Sequence, residues 1–79
     1  MTVGILGAGA FGTSLSIALS SSNEKLILWT QNQNILNSVQ KIRENQIRLP
    51  GYILPKNIIV TNDINKIREC SIVLIAVPM

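Results

Sequence analysis

The sequence predicts an α/β domain in which parallel strands alternate with helices, and three observations predict it. An apolar strand at residues 2–6 leads directly into glycines spaced G-x-G-x-x-G. A second strand at residues 25–29 closes a β-α-β unit of about 30 residues, the length that this glycine spacing requires. Two more apolar segments follow at residues 58–60 and 71–77. Together they predict the order β-α-β-α-β-α-β and a doubly wound parallel sheet.

The glycine loop, residues 7–12 with the sequence Gly7-Ala8-Gly9-Ala10-Phe11-Gly12, has the spacing of a dinucleotide-binding fingerprint. The first glycine permits a tight turn, the second leaves room for a pyrophosphate, and the third lets the helix pack closely on the sheet. A helix beginning near Ala10 directs its free N–H groups and positive dipole end at the phosphates. Such glycine triplets also occur by chance in loops, but here strand, helix and second strand follow in the required order. The loop therefore predicts dinucleotide binding.

Two helices are predicted from apolar residues at helical spacing. The first begins near Ala10 and ends in the polar run of residues 20–23. The second covers residues 32–45 and has one apolar face. The apolar positions are Phe11, Leu15, Ala18 and Leu19 in the first helix, and Ile35, Leu36, Val39 and Ile42 in the second.

The remainder of the chain completes the predicted sheet. Residues 49–57 contain two prolines and a glycine, which exclude a regular element. Residues 58–60 form a third strand, Asn62 or Asp63 caps a short helix, and residues 71–77 form a fourth strand. Right-handed crossovers then give the strand order 3-2-1-4, the beginning of a Rossmann sheet. The fourth strand lies at the sheet edge, where its apolar side chains predict self-association.

Composition restricts the class of protein. A chain of 79 residues forms one small domain. Its net charge of +3 comes from basic residues spread over several elements, so no nucleic-acid binding is predicted. The first 24 residues hold no Lys or Arg, and no apolar run reaches the roughly 18 residues of a membrane span, so a cytoplasmic location is expected. Cys70 is the only cysteine and histidine is absent, so no disulfide or metal site is predicted and Cys70 is interpreted as a packing residue.

Further motifs indicate one family within the Rossmann oxidoreductases. The glycine loop continues into Thr13 in the pattern G-A-G-x-aromatic-G-T, and Trp29 closes the second strand. The other matching segments are Arg43-Glu44-Asn45, Leu49-Pro50-Gly51, Leu54-Pro55 and Ala76-Val77-Pro78. Over its full length, the chain resembles the N-terminal part of bacterial-type NAD(P)-dependent glycerol-3-phosphate dehydrogenase. The glycines alone do not distinguish this family, whereas the combination of motifs does.

The resemblance implies reduction of dihydroxyacetone phosphate to sn-glycerol 3-phosphate by hydride transfer from NAD(P)H, which feeds phospholipid synthesis. Ala10 and Phe11 match positions on the family's glycine loop that touch the cofactor, and Gln31 and Asn32 match a pair near the adenosine ribose. The predicted cofactor-binding residues are therefore Gly7, Ala8, Gly9, Ala10, Phe11, Gly12, Gln31 and Asn32. The family often has a basic residue at one of the last two positions. No carboxylate stands about 20 residues after the glycines to bond an NAD ribose, so NADP and NAD both remain open.

Four residues have structural alternatives. Gln31 and Asn32 are equally interpreted as a simple turn in which Asn32 caps the second helix. Phe11, at the first apolar position of its helix, fits an ordinary core aromatic. Trp29 is expected to be a core residue whose indole N–H stays hydrated at the strand end.

No residue is assigned a catalytic role, because the family's general-base lysine and substrate-phosphate ligands match positions well beyond residue 79. The chain is interpreted as a partial dinucleotide-binding domain, residues 1–79, without the C-terminal catalytic domain. The first hypothesis is a truncated, inactive copy that binds the cofactor without turnover. The alternatives are one half of a split oxidoreductase and a noncatalytic nucleotide-binding or interaction module.

Overall fold

Four parallel strands alternate with three helices in the computed structural model, which describes residues 2–22 and 25–77. The strands are β1 (Thr2–Leu6), β2 (Lys25–Trp29), β3 (Ile58–Thr61) and β4 (Ile72–Ile75). The helices are α1 (Ala10–Ser20), α2 (Gln33–Ile42) and α3 (Ile64–Arg68). The predicted element order is confirmed. Asn23 of the predicted helix end and Pro78 of the last motif lie outside the described residues.

The sheet has the order β3-β2-β1-β4, with every neighbouring pair parallel, so the predicted order 3-2-1-4 is confirmed. Val3 of β1 pairs with Leu26 of β2 on one side and with Ile72 of β4 on the other. On the Val3 face, the core is formed by residues of β1, β2, β3 and α2 together with two loop residues, Ala8 and Leu54. Its members are Val3, Ile5, Ala8, Leu26, Leu28, Ile35, Val39, Leu54 and Ile58. Ile27 of β2, whose side chain lies on the opposite face, is also buried, so both faces of β2 are used for packing, as in other parallel sheets.

Helix α3 packs on the opposite face of the sheet, where Gly4 of β1 leaves room for it. A Cβ added at Gly4 would lie 2.9 Å from the Cys70 sulfur and 3.0 Å from Ile67 Cδ1. The Cys70 thiol donates to the Lys66 carbonyl oxygen at 3.4 Å, and burial raises its pKa. Cys70 is thus a packing residue at the end of α3, as predicted. Asp63, one of the two predicted caps, accepts the Asn65 N–H at 2.9 Å.

Helix α1 contacts the sheet through small residues, not through the aromatic residue that the hydrophobic pattern indicates. Gly12, Thr13 and Ser16 are buried, whereas the side chain of Phe11 is 67% exposed. A Cβ at Gly12 would overlap the Gly7 carbonyl oxygen, so only a glycine allows the helix to approach this closely. The interpretation of Phe11 as a core aromatic is therefore wrong.

Helix α2 is shorter than predicted, because it ends at Ile42 rather than at residue 45. Arg43 follows in the left-handed conformation, at φ 56°, and its backbone N–H donates to Val39. Its guanidinium donates to the carbonyl oxygens of Pro55 at 2.6 Å and Ile58 at 2.8 Å. These bonds tie the helix end to the loop before β3, and the left-handed residue stops the helix.

Trp29 lies half-buried at the end of β2, paired with Leu6 of β1 and Thr61 of β3. Its indole nitrogen is buried and has no hydrogen-bond partner within the described part of the chain. Because this nitrogen is buried from solvent, the expectation of a hydrated indole N–H is wrong.

Strand β4 forms one edge of the sheet, as predicted, and its side chains are exposed on both faces. Ile75 is 72% exposed, and Ile72 and Val73 are also exposed. None of the helices formed by residues 2–22 and 25–77 has the length and hydrophobicity that a bilayer-spanning helix requires.

Candidate dinucleotide-binding site

A cavity of about 540 Å³ opens at the carboxyl ends of β1, β2 and β4. The glycine loop follows β1, Thr30 and Asn32 follow β2, and Ala76 follows β4. The residues that line this cavity are Gly7, Ala8, Gly9, Ala10, Thr30, Asn32, Ile35, Ile47, Arg48 and Ala76. Segments that are far apart in the sequence thus meet around one opening.

The cavity lies at the point where the sheet order reverses. The chain passes from β1 to β2 and β3 on one side of β1, and then crosses to β4 on the other side. In open α/β sheets, ligands bind outside the carboxyl ends of the strands at this switch point. The position of the cavity within the fold is therefore that of a dinucleotide site.

Two glycines of the loop give the cavity its shape. Gly7 adopts φ 112°, which L side chains rarely adopt, and its N–H donates to the Trp29 carbonyl oxygen at 2.9 Å. Gly9 has an ordinary φ of −71°, but a Cβ added there would meet nothing within 4 Å. Gly9 thus leaves open a space in the cavity wall that a side chain would fill. This is the room that a pyrophosphate needs.

The N-terminus of α1 is suited to bind an anion. Gly9 is the N-cap residue and provides no side-chain hydrogen bond, and the first turn contains no acidic residue. The first intrahelical bond runs from Thr13 N–H to the Gly9 oxygen. The N–H groups of the first helical turn before Thr13 have no intrahelical acceptor, and they lie at the positive end of the helix dipole.

The structure brings five of the eight predicted cofactor-binding residues together around the cavity, namely Gly7, Ala8, Gly9, Ala10 and Asn32. Phe11 is exposed on α1 outside the lining, and Gly12 is buried beneath the loop. Gln31 is exposed and is also absent from the lining.

Asn32 takes the structural role proposed for it and also lines the cavity. Its side-chain oxygen accepts the N–H groups of Asn34 at 2.9 Å and Ile35 at 3.2 Å, which makes it the N-cap of α2. Its amide nitrogen has no partner among residues 2–22 and 25–77, so this donor is available to a ligand.

Sequence reasoning missed Ile47 and Arg48, which reach the cavity from the turn after α2. The buried residue that places them is Asn45. Its amide nitrogen donates to the Ala8 carbonyl oxygen and to Thr13 Oγ1, both at 2.9 Å, and its side-chain oxygen accepts the Arg48 N–H at 3.1 Å. The resemblance marked Asn45 as a motif residue, but nothing in the spacing indicated which loop it would contact.

A second cavity, of about 370 Å³, lies between α2 and β3 and includes Arg43 in its lining. It contains no residue of the glycine loop. The Arg43 guanidinium is bonded to backbone carbonyls of the adjacent loop. This cavity therefore lacks the phosphate-binding elements that the first one has.

The strand order, the glycine loop and the cavity at the switch point define a Rossmann-type domain. The chain belongs to the family described as NAD-dependent glycerol-3-phosphate dehydrogenase N-terminus, whose model matches residues 2–79. The cofactor of this family is NAD(P).

Two relatives and one solved structure illustrate the match. The glycerol-3-phosphate dehydrogenase, NAD(P)+, of Roseobacter denitrificans is 44% identical over 78 residues, which is 99% of this chain and 24% of that protein. The protein of the same name from Anaplasma phagocytophilum is 40% identical over 79 residues, with 99% and 24% coverage. The crystal structure of glycerol-3-phosphate dehydrogenase from Coxiella burnetii matches with a TM-score of 0.88 and 29% identity, over 98% of this chain and 24% of that one. The chain thus spans about a quarter of the length of these proteins.

Proposed function

We propose that this chain binds NAD(P)(H) in the cavity at the switch point and is the cofactor-binding part of a glycerol-3-phosphate dehydrogenase. The observation that carries the proposal is the open space beside Gly9, which adjoins the N-terminus of α1. A pyrophosphate in that space would accept hydrogen bonds from the free N–H groups of the first helical turn. Ile35 and Ile47 add apolar surface to the lining, which suits the faces of an adenine ring.

The other predicted residues have distinct parts in this proposal. Gly12 permits the close approach of α1 that aims its N-terminus at the cavity. Phe11 and Gln31 are exposed beside the lining and contact the outer parts of the bound cofactor. Asn32 offers its amide nitrogen to the ribose while its oxygen caps α2.

The reaction we propose for the larger protein is reduction of dihydroxyacetone phosphate to sn-glycerol 3-phosphate, within the cytoplasm, for phospholipid synthesis. The bound nicotinamide supplies the hydride. The relatives named glycerol-3-phosphate dehydrogenase are about four times as long as this chain, since it covers 24% of them. This supports placing the substrate-binding and proton-donating groups in a C-terminal domain outside residues 1–79. These residues alone would then bind the cofactor without turnover.

Replacement of Gly9 by valine should abolish NADPH binding, because the side chain would fill the space reserved for the pyrophosphate. The variant should still fold, since φ is −71° at Gly9 and a Cβ there meets nothing within 4 Å. NADPH fluorescence titration of the purified wild type and Gly9→Val, with circular dichroism to confirm folding, measures the effect.

Ala18→Val is the matched control, because Ala18 is exposed on the same helix and lies outside the cavity lining. It should bind NADPH like the wild type. If folded Gly9→Val binds as well as this control, the cavity is not the cofactor site.

In the same samples, addition of dihydroxyacetone phosphate should leave the NADPH absorbance constant. Substrate-dependent oxidation by the purified 79 residues would contradict the proposed position of the catalytic groups.

We also propose that the isolated chain self-associates through β4, with a second copy as the partner. This edge has free backbone groups and exposes Ile72, Val73 and Ile75. The opposite edge is less apolar on its surface, because Ile58 of β3 is fully buried. Exposed apolar edge strands pair readily with one another.

Ile75→Lys should convert the self-associated chain into a monomer and raise its solubility, because a lysine at an edge strand opposes pairing. Light scattering after size-exclusion chromatography gives the molar mass. Ile59→Lys, a change at an exposed residue of the other edge, is the control and should leave the mass unchanged. Association through β4 would be contradicted if the wild-type chain is a monomer. It would also be contradicted if Ile59→Lys produces a monomer and Ile75→Lys does not.

A further inference from the structure

Strand β3 forms the second edge of the sheet, opposite β4. The carbonyl oxygens of Asn57 and Thr61 accept hydrogen bonds of 2.9 Å from β2 and from the residue that follows it. Backbone groups alternate in direction along a strand, so Ile58 and Val60 direct their N–H and carbonyl groups away from β2. These two residues therefore present the outward backbone groups of this edge.

The outward groups of Ile58 are bonded within the chain. Its N–H donates to the Pro55 carbonyl oxygen at 3.0 Å, and its carbonyl oxygen accepts a hydrogen bond from Arg43 Nη2 at 2.8 Å. Val60 has no such partner in the part of the chain that the structure describes. A strand that pairs with β3 would thus find one residue with free groups, whereas a ladder needs several in alternation.

Arg43, and not helix α2, covers this edge. Besides its bond to Ile58, Arg43 Nη2 donates to the Pro55 carbonyl oxygen at 2.6 Å, and the Nε atom is buried. The guanidinium therefore lies against the strand rather than in solvent. The cavity of about 370 Å³ between α2 and β3 is lined in part by Arg43, Val60 and Thr61, so α2 leaves space beside the free residue. An inward-pointing charge is one of the features that protect sheet edges from pairing.

The β4 edge has no comparable cover. The Ala76 N–H donates to the Leu6 carbonyl oxygen at 2.8 Å, so the same alternation directs the backbone groups of Val73 and Ile75 away from β1. Neither residue has an outward partner among residues 2–22 and 25–77. Strand β4 thus offers two successive free positions, and the side chains at both are exposed.

We propose that Arg43 closes the β3 edge to strand pairing and restricts association of this chain to β4. The partner is a second copy of the chain, as in the proposed pairing through β4, but the inference concerns the other edge and does not depend on the cofactor site. With β4 alone open, two copies form a two-fold dimer in which no open edge remains. With β3 also open, each copy can bind a neighbour at either edge, and assembly continues without closure.

Arg43→Met tests this closure in the Ile75→Lys chain, in which β4 is blocked. Ile75→Lys alone should have the molar mass of one copy, 8.6 kDa. Folded Arg43→Met/Ile75→Lys should have at least about twice that mass, because β3 can then pair with β3 of a second copy. Adding Ile59→Lys should restore the mass of one copy, since Ile59 is exposed on β3 and an edge lysine opposes pairing. Light scattering after size-exclusion chromatography gives the masses, and circular dichroism confirms folding.

Two further variants separate the closure from other effects of the substitution. Arg43→Gln loses the charge but keeps an amide donor for the turn, so it should also associate, and it replaces Arg43→Met if the methionine variant does not fold. Arg68→Met, at an exposed arginine of α3, removes the same charge elsewhere and should leave the Ile75→Lys chain a monomer.

Three outcomes would overturn the assignment of Arg43. Folded Arg43 variants that remain monomeric would show that another feature closes β3. Association that persists after Ile59→Lys would place the contact elsewhere, and equal association with Arg68→Met would assign it to the lower net charge. A monomeric wild type would instead contradict the pairing through β4, and the masses of the Arg43 variants would still decide whether Arg43 closes β3.

Discussion

Gly12→Ala should lower the free energy of unfolding by about 3 kcal/mol or more, a larger cost than most overpacking substitutions. The added methyl group would overlap the Gly7 carbonyl oxygen and would lie 3.3 Å from Ala76 Cβ. These neighbours cannot move freely, because Gly7 is held in a tight turn at φ 112° and its N–H is bonded to Trp29. Relief of the overlap requires α1 to move away from the sheet. For a domain of this size, such a loss is a large part of the total stability.

Gly9→Ala provides a matched control within the same loop. Its Cβ meets nothing within 4 Å and its φ of −71° suits any residue. The change in stability should stay below about 1 kcal/mol, because a slightly poorer N-cap is offset by a less flexible unfolded chain. Urea denaturation followed by circular dichroism compares the two variants. Equal stability of Gly12→Ala and Gly9→Ala would show that α1 does not need a glycine contact.

The strands and their order could be predicted because parallel strands have a strong local signal. Residues of β2 such as Leu26, Ile27 and Leu28 are buried on both faces, which produces a continuous apolar run in the sequence. Right-handed crossovers, together with the order typical of dinucleotide-binding sheets, then favour 3-2-1-4 for four such strands. The glycine loop is equally local, since all its members lie within residues 7–12.

The packing of α1 could not be predicted from hydrophobicity, because the close approach of the helix selects small residues. Thr13 and Ser16 are 0% exposed, although neither belongs to the apolar pattern. Their hydroxyl groups are satisfied by backbone carbonyl oxygens, those of Ala8 at 3.3 Å and Thr13 at 2.7 Å. A pattern that ranks residues by polarity therefore selects Phe11, which the structure leaves exposed.

The turn after α2 contributes to the cavity lining because of long-range hydrogen bonds, and no local sequence pattern indicates such bonds. Residues 32–45 have helical periodicity, and this predicts a helix through Asn45. The left-handed Arg43 ends the helix at Ile42 instead. Asn45 is thereby free to bond to Ala8, 37 residues earlier in the chain. The early end of the helix and this hydrogen bond bring Ile47 and Arg48 to the cavity.

Asn45→Ala should lower the free energy of unfolding by about 2–4 kcal/mol, because it removes buried hydrogen bonds and leaves a cavity. The side chain makes bonds of 2.9, 2.9 and 3.1 Å at a fully buried position. Its loss also releases the turn that carries Arg48, so NADPH affinity should fall even at temperatures where the variant is folded. Denaturation and NADPH titration on the same preparation measure both effects.

Gln46→Ala is the control for Asn45→Ala, since it removes an amide from the next residue, which is exposed. Its backbone N–H bond to Ser38 at 3.1 Å is retained, and its stability should remain within about 0.5 kcal/mol of wild type. Asn45→Asp tests the direction of the bonds, because a carboxylate has nearly the same shape but cannot donate to the Ala8 carbonyl oxygen. It would place two acceptors against each other in a buried site and should destabilise the chain at least as much as alanine. Wild-type stability of Asn45→Asp would show that the amide donor does not join the turn to the glycine loop.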